Sequence, residues 1–500
     1  MIKMTPESNV IDTNSHDIEL LIDRISSIAY DDNLKTTLVV KSINCREWEK
    51  EKSIFERYKF PDEYLSNSDI KKLASRYYVE IRSQKTTYNE HIHFGHFDFR
   101  PTSATICDAF LPIPEKNGFF VTCKKAYKSD DFENPTISTV PYTMPDIKLG
   151  ACAPSSLWII LTTLANELGL QYYSLSDIAL NLPKNSLSKN GIRDFEAVIK
   201  KMNFEYYYHY GIPQRDEYQE IEKKIQTKSE CKGDCKLSKL FAHIHTDSKN
   251  MSLMDSDTLY AYIESEIPVY LVFDFESLLL LPTYSKWKKS EECSPTEKDK
   301  EKYHAIVAVG HTLNKNGEHP DFIVHDVDLA PFIVIPQEFI NKHLLEALVL
   351  LPENTVHYTF IKKIFEEKIL PNFLKIDKHL DSLSPIDELK IRPFLMRSQR
   401  IKFWFSNKLK YPEEITQIFS VAEFPKYVWV FEFSNSKTRE KNQSLGHIIF
   451  NASVSAKQSS PVLITSPNYL LWYENGELRD SSKDNPDSFY FGLSLFRCKG

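Results

Sequence analysis

Two short apolar runs late in the chain restrict its architecture most. Tyr303-His304-Ala305-Ile306-Val307-Ala308-Val309-Gly310 and Phe322-Ile323-Val324-His325-Asp326 are rich in β-branched residues and flank a polar turn signal at Asn314-Lys315-Asn316-Gly317. Such runs read as buried strands, and the turn between them joins them as an antiparallel hairpin. His304 opens the first run and Asp326 closes the second, so both fall at the same end of the hairpin. A carboxylate there can orient the imidazole and stabilise its charged form.

A helix upstream supplies the group that such a pair could activate. After Pro154, apolar residues recur at Leu157, Ile160, Leu161, Leu164 and Leu168 until Gly169, which predicts a helix with one buried face. Cys152 stands at its N-terminal end, where unpaired N–H groups and the positive end of the macrodipole favour a thiolate. Cysteine, then histidine, then aspartate is the chain order of a nucleophile, its proton partner and an orienting carboxylate. Cys152, His304 and Asp326 are therefore the candidate catalytic residues, and the backbone N–H of Cys152 is a candidate oxyanion donor.

These residues carry a family resemblance. Cys152-Ala153-Pro154-Ser155-Ser156-Leu157 resembles the nucleophile segment of the bacterial C39-like peptidases, and His304 through Gly310 is similar to the histidine strand shared by those enzymes and papain. Ser174 to Ala179 resembles the family's next short helix, Ile263 to Leu271 its helix, turn and strand, and His325 to Phe332 its aspartate segment. The likeness spans roughly residues 139 to 340. It implies a papain-like cysteine peptidase core, and a thiol protease that cleaves a peptide or isopeptide bond through a thioester.

The chain departs from that pattern before the cysteine. Family members carry a glutamine there whose side-chain amide completes the oxyanion hole, and Val140-Pro141-Tyr142-Thr143-Met144-Pro145-Asp146 has none. Losing such a donor costs about 100-fold or more in turnover. Tyr142, Thr143 or Lys148 could replace it, and Tyr142 is the first choice because a phenol is a good donor. Without a replacement, the enzyme would be slow, or the core would be an inactive scaffold used as a protein-binding module. An acyltransferase working through the same thioester is chemically close.

Composition narrows the partners. With 500 residues, 42% hydrophobic and 26% charged, the chain can bury substantial cores, while a net charge of −7 gives no electrostatic footprint for nucleic acid. No apolar run reaches bilayer length and the first residues do not resemble a signal peptide, so the expected location is cytoplasmic, without membrane contact. The 8 cysteines are dispersed, which suits a reducing compartment. The expected partner is a protein or peptide substrate.

The fold class expected is α+β in three parts. Residues 1–138 read as an N-terminal α+β domain, with a helix near Ile18 to Ile25 and strands at Thr37 to Val40, Tyr77 to Ile81 and Gly118 to Thr122. Residues 139–345 hold the papain-like core. Residues 346–500 begin with a helix near Phe360 to Phe365 and continue as a β-rich domain with runs at Tyr427 to Phe433, His447 to Phe450 and Pro461 to Thr465. Lys286 to Lys302 is a charge-dense loop before His304 that could act as a flap. Neither Cys231, Cys235, His243 and His245 nor His91, His93 and His96 match a common metal-ligand spacing, and no phosphate-binding glycine loop is present, so no metal or cofactor is expected.

Overall fold

The computed structural model describes residues 3–6, 36–44, 76–84, 91–100, 105–114, 118–126, 136–144, 152–168, 170–182, 195–202, 204–214, 252–284, 303–313, 320–352, 354–370, 389–407, 424–435, 444–452, 461–465, 470–474 and 477–480. The fold is α+β with three largely antiparallel sheets. The chain forms two units. One comprises residues 1–256 and 266–350, the other residues 257–265 and 351–500. This division has no break at residue 138 and one at residue 351.

The site-bearing sheet belongs to the first unit. Its strands are β1 (Gly118–Phe120), β2 (Phe204–Gly211), β3 (Ser252–Met254), β4 (Val269–Asp274), β5 (Tyr303–Thr312), β6 (Phe322–Asp326), β7 (Ala330–Ile335) and β8 (Glu346–Pro352). Their spatial order is β3-β2-β8-β4-β5-β6-β7, with β1 paired to β5. β5 and β6 form the antiparallel pair that their apolar runs predict, with Val307 opposite His325 and a bulge between Ala308 and Gly310. The turn residues Asn314 to Gly317 lie outside the described residues.

β5 is the organising strand. β4 pairs with its first half, Phe273 opposite His304, and β1 pairs with its last three residues, Gly310 opposite Phe120. Because β6 holds the other edge, β4 and β1 must follow one another along a single edge of β5. A Cβ on Gly310 would lie 2.4 Å from the Phe119 carbonyl oxygen, so only glycine admits this approach. β4 reads as an apolar run and is buried along almost its whole length, as expected of a strand covered on both faces.

Helix α1 (Cys152–Leu168) packs on β4 and β5. The sequence predicts one buried face, but residues from Pro154 to Ala165 are buried all round, Ser155, Ser156, Thr162 and Thr163 included. The reason is a second layer: strands 123–126 and 136–142 of the neighbouring sheet also pack on α1. Leu170 N–H returns to the Ala165 carbonyl at 2.8 Å, the closing bond of a helix C-terminus. Helix α2 (Leu175–Asn181) follows, capped reciprocally by Ser174 and Asp177.

The seven-stranded sheet of the same unit runs 3–6, 36–44, 76–84, 91–100, 105–112, 136–142, 123–126, antiparallel except for its first pair. The expected strands at Thr37, Tyr77 and Gly118 are present, whereas the expected helix near Ile18 lies outside the described residues. The second unit carries a six-stranded antiparallel meander from Lys390–Arg397 to Glu477–Asp480, which contains all three of its expected β-runs. Among the described residues no helix is long and apolar enough to cross a membrane.

Candidate active site

The ends of β5 and β6 bring His304 and Asp326 together. His304 Nε2 lies 2.8 Å from Asp326 Oδ2, with the imidazole 6% exposed and the carboxylate fully buried. A buried carboxylate is costly unless each oxygen finds donors, and here both do. Oδ1 accepts the backbone N–H groups of Asp328 at 2.9 Å and Leu329 at 3.1 Å, while Oδ2 also accepts the Tyr284 hydroxyl at 2.7 Å. Burial pushes the Asp326 carboxyl up, but His304, Tyr284 and the Asp328 N–H together hold it below the usual carboxylate range. Burial and the negative charge of Asp326 push the Tyr284 phenol well up, which keeps it protonated as a donor.

His304 is correspondingly held as an imidazolium. Burial alone would lower its pKa, but attraction to Asp326, the hydrogen bond to it and the nearby Asp328 outweigh burial and push it up to about 9. The second ring nitrogen, Nδ1, faces Asp328 Oδ2 at 3.6 Å. Burial and Asp326 raise the Asp328 carboxyl against the pull of His304. The Phe275 ring meets the imidazole edge-on at 5.9 Å.

His304, Asp326 and Asp328 offer ligand atoms within 4.8 Å of one another, a spacing that a metal centre would also show. The geometry argues against chelation. Asp326 sits on the Nε2 side of the ring and Asp328 on the Nδ1 side, so no single nitrogen lone pair points to a position shared by both carboxylates. The three groups form an ion cluster in which only His304 and Asp326 share a hydrogen bond between side chains. The cysteines and histidines from Cys231 to His245 and the side chains of His91 and His93 lie outside the described residues. His96 is a core residue, buried and stacked on Phe110 with ring centroids 5.1 Å apart.

Cys152 is the first residue of α1, and α1 packs on the strand that carries His304. Its side chain lies outside the described residues, as do Lys148 and the segment from Lys286 to Lys302. Tyr142 is buried at a strand end, and its hydroxyl donates to the Asp326 main-chain carbonyl at 3.4 Å. Thr143 is also buried and bonds the adjacent Met144 carbonyl. To serve an oxyanion, Tyr142 would have to release that bond, which its length makes weak.

Beside the pair sits His325, completely buried, with neither ring nitrogen hydrogen-bonded among the described residues. Its ring packs edge-on against Tyr142 at 5.3 Å and Phe332 at 4.8 Å. Burial pushes its pKa down to about 3, so it is neutral under ordinary conditions. Phe332 is held at φ 58, a left-handed conformation that costs a non-glycine residue about 1–2 kcal/mol.

Sequence reasoning missed Tyr284, Asp328 and Phe275. Asp328 lies two residues beyond Asp326 in a quoted motif, but nothing in the sequence marks it as facing the imidazole. Tyr284 has no periodic signal, since it reaches Asp326 from the segment after helix α3 (Phe275–Leu278). Tyr284→Phe should cost about 1.5–3 kcal/mol in urea denaturation near pH 7, the worth of a hydrogen bond to a buried charge. An unchanged midpoint would mean that Tyr284 does not support the carboxylate. No family model, curated protein or solved structure matches the chain.

Proposed function

We propose that the protein is a cysteine-dependent amide hydrolase with a papain-like core, acting on a protein or peptide substrate. The observation that carries this reading is the buried His304–Asp326 pair at the start of a strand on which the Cys152 helix packs. A histidine held up to about 9 keeps its proton at neutral pH, so the resting form would be an imidazolium ready to pair with a Cys152 thiolate.

The steps follow from that charge state. The thiolate attacks an amide carbonyl carbon, and the Cys152 N–H stabilises the oxyanion, with Tyr142 as the candidate second donor. His304 gives its proton to the leaving amine as the C–N bond breaks, leaving a thioester. Neutral His304 then takes a proton from the water whose oxygen attacks the thioester carbon; the C–S bond breaks, the acid departs, and the thiolate and imidazolium are restored as a pair. An amine replacing that water would make the same site an acyltransferase.

A thiol probe tests this directly. Cys107 and Cys123 are buried thiols, so they should label slowly. Cys152 should label fast and pH-dependently, and His304→Ala should slow it. Cys152→Ala should remove both the fast labelling and all turnover of a fluorogenic peptide library. Labelling of Cys152 no faster than the other cysteines would favour the inactive binding scaffold, the reading motivated by the absent glutamine.

A further inference from the structure

We propose that Asp328 is a further positioning residue of this site, a second carboxylate that holds the charge of His304 at the nitrogen Asp326 does not reach. The assignment rests on the thiol-dependent reading above. Its geometric basis is a difference between the two sides of one ring. Asp326 meets Nε2 at 2.8 Å, a full hydrogen bond, whereas Asp328 stands 3.6 Å from Nδ1. The second distance exceeds hydrogen-bond reach but is short for Coulomb attraction in a poorly solvated setting. Asp328 therefore stabilises the imidazolium without capturing the Nδ1 proton.

That proton is the one the chemistry moves. With Nε2 tied to Asp326, only Nδ1 is left to serve the thiol and the leaving amine. A carboxylate in hydrogen-bond contact there would compete for it, and no carboxylate would let the imidazolium lose it at lower pH. Asp328 is 32% exposed at its side chain, so it also lies at the solvent side of the cluster.

Among the described residues, the other groups around His304 do not substitute for it. The hairpin end contributes Asp326, and Tyr284 acts only through that carboxylate. Helix α3 presents the apolar Phe275, while β4 places Phe273 opposite His304 and Asp274 opposite Tyr303. Helix α1 packs on β5, and the side chain of Cys152 at its start lies outside the described residues.

The test is a titration of the His304 ring in the full chain, with isotope-labelled histidine and the resonance assigned by its loss in His304→Gln. Asp328→Asn should move the titration down by about one pH unit, the low end for loss of an adjacent opposite charge. Asp328→Glu should restore it to near the native position, which a purely structural role would not do. Both variants keep the Asp328 backbone N–H that serves Asp326. Should the asparagine variant not fold, Asp328→Ser is read in the same way. An unmoved titration in the neutral variant, or a glutamate variant that titrates as low as it, overturns the proposal. The alkylation rate of Cys152 by iodoacetamide separates the two readings. Fast, His304-dependent alkylation with an unmoved titration overturns the role of Asp328 alone, whereas uniformly sluggish cysteines overturn the hydrolase reading and the role of Asp328 with it.

Discussion

Asp326→Asn should lower peptide turnover by about 10⁴-fold while leaving Cys152 in place. An amide cannot stabilise an imidazolium, and its NH₂ can turn toward Nε2 and force the wrong tautomer on His304. The same change removes a buried charge that accepts from His304, Tyr284 and the Asp328 and Leu329 backbone. Breaking a buried pair by removing one partner typically costs about 3–5 kcal/mol, so the urea midpoint should fall with the activity. Single-turnover kinetics and denaturation on the same preparation measure both effects. A variant that keeps most of its turnover would take Asp326 out of the chemistry and leave it a structural carboxylate.

His325→Phe should stabilise the protein, and most strongly in acid. His325 has a folded pKa of about 3 against an ordinary 6.5, so its contribution is complete above pH 6.5 and is lost as pH falls toward 3, by about 5 kcal/mol in total. His304 works in the opposite direction. Its pKa is raised from 6.5 to about 9, so its contribution is complete below pH 6.5 and is lost as pH climbs through 9, by about 3 kcal/mol. Two neighbouring histidines thus set a stability maximum near pH 6.5. The lowered carboxyl of Asp326 adds a further loss once pH drops below 3.8.

Phenylalanine keeps the aromatic packing against Tyr142 and Phe332 and removes two nitrogens that have no partners among the described residues. At pH 4 the gain should be about 3 kcal/mol, from the protonation penalty alone. Urea midpoints of both proteins between about pH 4 and 9 measure it. If the acid limb of the variant parallels that of the parent, His325 is not the group that destabilises the fold in acid.

The parts legible in the sequence were those written in contiguous residues. A hairpin announces itself through two apolar runs and a turn, so the shared end of His304 and Asp326 could be read before any coordinates. The helix beginning at Cys152 was legible for the same reason. What sequence could not supply was what packs across from each element. One-sided periodicity in α1 hid a second sheet packed on the helix, whose Ser155 and Thr162 are buried as well. Strand Phe204–Gly211, with sequence Phe-Glu-Tyr-Tyr-Tyr-His-Tyr-Gly, has no clean apolar alternation because aromatic rings serve both faces. Asp328 and Tyr284 depend on how residues 327–329 and 279–284 bend, and no local pattern encodes those bends.

The pairing of β1 with β5 bears on how this molecule can be divided. Residues 118–120 reach forward nearly two hundred positions to complete the edge of the strand that carries His304. A polypeptide cut to begin at residue 139 would retain every residue of the proposed triad and lose that edge partner. It would expose the backbone of Gly310 to Thr312 on the β4 side, together with the apolar ground under Phe120. Residues 139–340 taken alone are thus an incomplete folding unit. A fragment intended to fold by itself has to include the strand at Gly118–Phe120.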